Sequence, residues 1–203
     1  MKIGIMGGTF NPIHNGHLML AKTAKEQFGL DKVWFMPNRI PPHKEIDDTN
    51  EMTKHRVKMV ELAIKPYEDF VLQPYEIEHT EVSYSYKTLE YFKETYPMDT
   101  FYFIIGADSL FAFERWVNPQ RIADCCVLVA AVRDGKQKED ILEQIVYLNE
   151  KFHADIRFLN MPSIDISSTD IRSLAEDDEK LLAYVPQDVA EYIKEHQLFQ
   201  GED

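Results

Sequence analysis

Cysteine is nearly absent from this chain, with two residues in 203, and those two, Cys125 and Cys126, are neighbours. Adjacent thiols cannot staple distant segments, so a disulfide-built scaffold is excluded. Their place at the head of the apolar run Val127 to Val132 reads as a buried strand carrying reduced thiols. Basic residues are also scarce: 22 Lys and Arg stand against 35 Asp and Glu, a net charge of -13. With no dense Lys/Arg block, neither nucleic acid nor an anionic membrane surface is an expected partner, and any cationic site must be local. Long hydrophobic runs are missing too. No segment reaches transmembrane length, and Ile3 to Met6 is too short for a signal-peptide core before it meets Gly7-Gly8, so a cytoplasmic location is expected. No Pro/Gly linker, repeat or low-complexity tract divides the chain. A single domain over residues 1–203 is expected, its C-terminal portion helical from about residue 167.

What is present is alternation. With 44% hydrophobic residues the chain can bury a substantial core. Strand candidates are Lys2 to Met6, Lys32 to Met36, Phe70 to Leu72, Thr100 to Ile105, Cys126 to Val132 and Asp155 to Leu159. Between them, Val57-Val60-Ile64, Leu89-Phe92-Tyr96 and Ile141-Ile145-Leu148 form helical stripes. A final helix is marked by Pro186 in its first turn, then Val189 and Ile193. This order predicts an α/β fold with a doubly wound, mainly parallel sheet and right-handed crossovers, whose ligands sit at the strand C-terminal ends near a topological switch point.

The first such end carries the densest signal, Gly7-Gly8-Thr9-Phe10-Asn11-Pro12-Ile13-His14-Asn15-Gly16-His17, followed by the helical pattern Leu18, Ala21, Ala24, Phe28. Strand, glycine turn and helix start together present backbone N–H groups and a helix dipole to an anion, and phosphate is the natural candidate. Glycine at Gly7 and Gly8 keeps side chains away from that anion, and tight turns often need positive φ. His14 and His17, three residues apart, can both face the ligand if the helix begins near Asn15 or Gly16. They can donate to phosphate oxygens and gain charge as negative charge builds. The string is neither Walker A nor the dinucleotide Gly-x-Gly-x-x-Gly. No third His, Cys or carboxylate sits at ligand spacing, which disfavours a metal site on the pair, and no metal-ligating residue is assigned.

The His-x-Gly-His element resembles the signature of the nucleotidyltransferase superfamily. The longer string is similar to that of bacterial nicotinate-mononucleotide adenylyltransferases, where the position of Asn11 is often Asp. The resemblance runs from Gly7 to Arg172 in five ordered motifs and implies the Rossmann-like nucleotidyltransferase fold. It also implies transfer of the adenylyl group of ATP to the 5′-phosphate of nicotinate mononucleotide. The products would be nicotinate adenine dinucleotide and pyrophosphate, a step of NAD biosynthesis.

Four further motifs carry both a reading of their own and a role from the resemblance. In Ile166-Ser167-Ser168-Thr169-Asp170-Ile171-Arg172, Ser168 or Thr169 can cap a helix while Arg172 offers a planar, permanently charged fork to an anion. By resemblance this element, with Ser167, grips the β and γ phosphates of ATP. The loop Pro37-Asn38-Arg39-Ile40-Pro41-Pro42-His43-Lys44 has proline-limited freedom. There the resemblance sends Lys44 to phosphates, puts Asn38 near the acceptor, and gives His43 a weaker assignment. Val82 to Leu89 resembles the family's Ser-Tyr-Thr-x-Asp-Thr-Leu, with Ser85 for Thr and Lys87 for Asp. Tyr84 and Ser85 then become acceptor residues, and Lys87 can face solvent. In Phe103 to Leu110 and on to Arg115-Trp116, Gly106 permits close approach of a ligand, Asp108 can accept from ribose hydroxyls, and Trp116 offers a flat face or a core contact. The resemblance makes Asp108 a ribose contact and stacks Trp116 on the nicotinate ring. Arg133 is a further nucleotide-side candidate.

The expected machinery is therefore His14, His17, Lys44 and Arg172 as catalytic groups. Gly7, Gly8, Thr9, Phe10, Gly106, Asp108, Arg133, Ser167, Ser168 and Thr169 would hold ATP, and Asn38, Tyr84, Ser85 and Trp116 the pyridine mononucleotide. The acceptor phosphate is already an anion, so alignment and neutralisation suffice without a general base. Mg2+ is expected to arrive on the ATP phosphates. A phosphopantetheine adenylyltransferase or a cytidylyltransferase would share the histidine pair, but the Pro-Pro-His-Lys loop and the Trp116 context argue against both. A turnover-free nucleotide sensor is opposed by the intact charged set. Preference for nicotinate over nicotinamide and assembly into a homo-oligomer stay open.

Overall fold

The computed structural model describes residues 1–39, 50–79, 82–133, 138–161 and 167–200. Six strands form one all-parallel sheet: β1 (Lys2–Gly8), β2 (Lys32–Pro37), β3 (Phe70–Leu72), β4 (Thr100–Gly106), β5 (Val127–Arg133) and β6 (Ile156–Met161), in the order β3-β2-β1-β4-β5-β6. The order reverses between β1 and β4, which places the switch point where Gly7-Gly8 and Gly106 end neighbouring strands.

Period-two patterning explains why the sheet is covered on both faces. Along β2, Val33 and Phe35 belong to one apolar cluster, Trp34 and Met36 to the other; along β4, Tyr102 and Ile104 oppose Phe101, Phe103 and Ile105. Helices α1 (Asn15–Phe28) and α2 (Asn50–Ile64) cover the first face. A short α3 (Tyr75–Glu78), then α4 (Ser85–Thr95), α5 (Ala107–Ala112), α6 (Pro119–Ala123) and α7 (Lys138–Phe152) follow, with α4 to α7 on the second face. The described chain closes with α8 (Ser168–Ser173), α9 (Asp178–Tyr184) and α10 (Gln187–Glu195), which return to the first face through Ile171, Leu181, Val189 and Ile193.

On the C-terminal side, where ligands would lie, five of the six strands run one or two residues past the sequence expectation. β1 continues through Gly7 and Gly8, β4 through Gly106 and β6 to Met161. β5 begins at Val127, so Cys125 and Cys126 precede the strand instead of opening it. Both are free thiols, and burial pushes both above the ordinary cysteine value, Cys126 the more strongly. Among the described residues no helix is long and apolar enough to cross a membrane.

Candidate active site

The loop after β1 is pinned by its own apolar residues. Met6, Phe10 and Ile13 are all buried in the first-face core, so the polar backbone between them is held at the sheet edge. The positive φ expected of the glycines falls elsewhere, on Phe10 at 50°. Gly7 and Gly8 are extended strand residues, and Gly16 lies inside α1. Glycine at Gly8 has a steric cause instead: a Cβ there would stand 3.1 Å from the Phe10 ring. Phe10 packs on Phe35 and is 2% exposed, so only its backbone is available to a ligand.

Helix α1 begins at Asn15 with His14 as its extended N-cap, as the phosphate reading requires. The carbonyl of His14 accepts from the His17 N–H at 2.9 Å, while the His14 N–H donates to His17 Nδ1 at 3.2 Å. The two rings lie 3.8 Å apart. A backbone N–H can only donate, so Nδ1 of His17 is an acceptor and Nε2 carries the proton. A second proton at Nδ1 would displace that bond. With this bond in place His17 has Nε2 left to donate.

The second phosphate motif docks on the first. Arg172 Nη1 donates to the Asn11 carbonyl at 3.0 Å, its Nη2 to Thr169 Oγ1 at 3.3 Å, and Ser168 Oγ to the Pro12 carbonyl at 2.9 Å. The α8 segment thus docks on the loop that leads into α1, with Arg172 in the last turn of α8 and not in its first. The cap differs from expectation: Ser167, not Ser168 or Thr169, is the N-cap, its Oγ accepting from the Asp170 N–H at 3.2 Å while its own N–H donates to Asp170 at 2.8 Å. That leaves Ser168 free to reach Pro12. These Ser167 contacts hold the Asp170 carboxyl below the usual carboxylate range.

At the C-terminal end of β1 opens a cavity of about 490 Å3, within the size range of small-molecule sites. Gly7, Gly8, Thr9, Asn38, Tyr84, Ser85 and Trp116 line it, so residues from β1, the end of β2, the start of α4 and the segment after α5 converge as expected. The Asn38 N–H donates to the Gly8 carbonyl at 3.0 Å, and its Oδ1 is buried without a hydrogen-bond partner among the described residues. Trp116 answers both readings of it: half-buried, it packs edge-on against Phe103 at 6.2 Å and lines the cavity. Arg121 grips Glu90 with two bonds of 2.5 Å, holding α6 against α4 around the cavity wall. Lys87 is exposed, 6.0 Å from the Tyr84 ring.

Not every expected residue lines this space: His14, His17 and Arg172, with Phe10, Ser167, Ser168 and Thr169, are not among the lining residues. Gly106 and Asp108 are exposed at the start of α5, and a Cβ on Gly106 would meet nothing within 4 Å. Arg133 ends β5. His43 and Lys44 lie outside the described residues. Among the described residues no cluster of three His, Cys, Asp or Glu side chains could hold a metal ion.

Sequence reasoning missed Arg56, Glu76 and Arg115. Arg56, on α2 and 1% exposed, donates from Nη1 to the Thr9 carbonyl at 2.7 Å and so steadies the glycine loop from behind. Its only sequence signal was a basic residue on an otherwise apolar helical stripe. Glu76 and Arg115 line the cavity, and no local motif announces either.

The all-parallel sheet order, with the glycine and histidine loop at its switch point, is that of an α/β nucleotide-binding fold, and the family profile described as cytidylyltransferase-like matches residues 5–174. A protein of Clostridium botulinum named probable nicotinate-nucleotide adenylyltransferase is 40% identical over 201 residues, covering 99% of each chain. One of the same name from Lachnoclostridium phytofermentans is 38% identical, covering 96% of this chain and 97% of its own. In fold, the chain is similar to the Plasmodium falciparum nicotinic acid mononucleotide adenylyltransferase complexed with NaAD, with a TM-score of 0.79 at 23% identity over 98% of this chain and 97% of that one. The chain belongs to the nicotinate-nucleotide adenylyltransferases of the cytidylyltransferase-like family.

Proposed function

We propose that the protein transfers the adenylyl group of ATP to the 5′-phosphate of nicotinate mononucleotide, in NAD biosynthesis. A phosphate oxygen of the acceptor forms a bond to the α-phosphorus of ATP, the bond from that phosphorus to the bridging oxygen of the β-phosphate breaks, and pyrophosphate leaves with the electron pair. The observation that carries this reading is the docking of the α8 segment, through Arg172 and Asn11, on the loop that leads from β1 to α1, while the same strand end, Gly7 to Thr9, lines a cavity with Trp116 and Tyr84.

The division of labour is the one the family resemblance implies. His17, donating from Nε2, and His14 serve the transferring α-phosphate, where charge changes most between ground and transition state. Arg172 and Lys44 draw charge toward the leaving pyrophosphate, with Ser167, Ser168 and Thr169 at the α8 start. The backbone of Gly7, Gly8, Thr9 and Phe10 faces the phosphates, while Gly106, Asp108 and Arg133 serve the nucleoside side. Asn38, Tyr84, Ser85 and Trp116 hold the acceptor, the indole lying against the pyridine ring. The divalent ion, Mg2+, belongs to the substrate as MgATP and neutralises its phosphates. The reaction is placed in the cytoplasm, where two free thiols stay reduced.

The test is pyrophosphate release with Mg2+, pairing ATP or CTP with nicotinate mononucleotide, nicotinamide mononucleotide or phosphopantetheine. Release with ATP and a pyridine mononucleotide is expected; release only with CTP or phosphopantetheine would move the protein to another branch, and no release with any pair would make it a binding protein.

A further inference from the structure

Glu76 stands out among the cavity residues. It sits on the four-residue helix α3, is 7% exposed, and accepts from Thr88 Oγ1 of α4 at 2.9 Å. It lines two spaces: the 490 Å3 cavity of Trp116 and Tyr84, and a second of about 300 Å3 lined also by Tyr75, His79, Lys87 and Thr88. Among the described residues lining the larger cavity, Glu76 is the one acid and Arg115 the one base. Nicotinate and nicotinamide mononucleotides differ by one negative charge on the ring substituent, so an acid in the wall of that cavity is placed to discriminate them.

We infer that Glu76 sets the preference of this cavity between an anionic and a neutral pyridine acceptor. The inference rests on the acceptor assignment proposed above. Burial pushes the Glu76 carboxyl up to about 7, opposed first by the Thr88 hydroxyl. The Ser83 hydroxyl, buried with no hydrogen bond of ordinary geometry, opposes more weakly. Below that pH the neutral carboxyl adds no charge to the wall and offers an O–H to a carboxylate. Above it, the ionised group repels a carboxylate and accepts from an amide N–H2. The other charged or titratable groups on the two cavities are Arg115 after α5, Tyr84 before α4, Lys87 on α4, and Tyr75 and His79 on and after α3. His79 is exposed, with Nδ1 on the Tyr75 carbonyl at 2.6 Å.

The acceptor phosphate itself titrates near pH 6. That ionisation is common to both acceptors and cancels in the ratio of their dissociation constants. If the acid acceptor binds only while Glu76 is neutral, the neutral fraction falls about tenfold between pH 6 and 8, and the ratio of acid to amide dissociation constants rises by about that factor.

Calorimetric titration of the whole protein with each mononucleotide across pH 6 to 8 tests this. The wild type should show the rise. Glu76→Gln should hold the ratio flat near its low-pH value, and His79→Gln should keep the wild-type trend. Thr88→Val, which removes the hydroxyl favouring ionisation, should move the midpoint to higher pH and keeps the test available if Glu76→Gln does not fold. A flat ratio in the wild type, the same slope in Glu76→Gln, or an unmoved midpoint in Thr88→Val overturns the inference while leaving the acceptor assignment standing. Failure of both mononucleotides to bind at any pH overturns the assignment and the inference together, and binding of the acid alone with an affinity that does not fall from pH 6 to 8 overturns the inference only.

Discussion

Arg172 reaches across 161 residues of sequence to donate a hydrogen bond to the Asn11 carbonyl at 3.0 Å. One nitrogen of its fork thereby fixes the side chain against the loop that leads into His14 and His17. A second bond to Thr169 keeps the guanidinium on its own helix. The contact joins the two motifs proposed to bind phosphate.

Replacing that fork distinguishes charge from geometry. Arg172→Ala should lower turnover roughly a hundred- to a thousandfold, the range for loss of one transition-state donor. Arg172→Lys should recover only part of it, because a point charge cannot hold the Asn11 carbonyl and an anion at once. Steady-state pyrophosphate release reads both, and a lysine variant at wild-type speed would mean that the fork geometry is unimportant.

Gly8 tests the steric account of the glycine loop. Gly8→Ala places a methyl group 3.1 Å from the Phe10 ring, and overpacking of this kind costs about 1–3 kcal/mol. The added substitution Phe10→Leu should restore part of the loss. Denaturant unfolding of the single and double variants measures the coupling; simple additivity would show that the Phe10 ring does not dictate glycine at Gly8.

Trp116 separates the two substrates. Trp116→Ala should raise the acceptor KM with little change in the KM for ATP, since the indole lines the cavity of Tyr84 and Asn38 and stands apart from the Arg172 junction. Initial rates with each substrate varied in turn give the split. An ATP defect alone would make the Phe103 and Phe113 packing of this ring its whole role.

The sheet was legible because its strands are short apolar runs separated by helical stripes, and all six expected strands are present in the structure. The phosphate loop was legible for a similar local reason: glycines, a helix start and two imidazoles follow one another in eleven or so residues. Arg56 and Glu76 were not, because each acts through a partner far along the chain, Thr9 and Thr88 respectively. Only tertiary packing turns a basic residue on a helical stripe into the support of a loop carbonyl, or an acid in a polar stretch into the wall of a cavity. The helix cap, expected at Ser168 or Thr169, lies one or two residues earlier at Ser167 because three successive hydroxyl residues fit the same local rule. The positive φ assigned to glycine belongs to Phe10, whose burial against Phe35 holds a backbone shape that local propensity disfavours.

The central claim is that His17 serves the moving phosphate through Nε2, its Nδ1 being committed to the His14 N–H. Single-turnover pyrophosphate release from MgATP and nicotinate mononucleotide, wild type against His17→Ala, measures this most directly. The account predicts a rate lower by roughly a hundred- to a thousandfold, about 2.7–4 kcal/mol of lost transition-state stabilisation, with ATP affinity largely kept. A near-normal rate in a folded His17→Ala protein would contradict it.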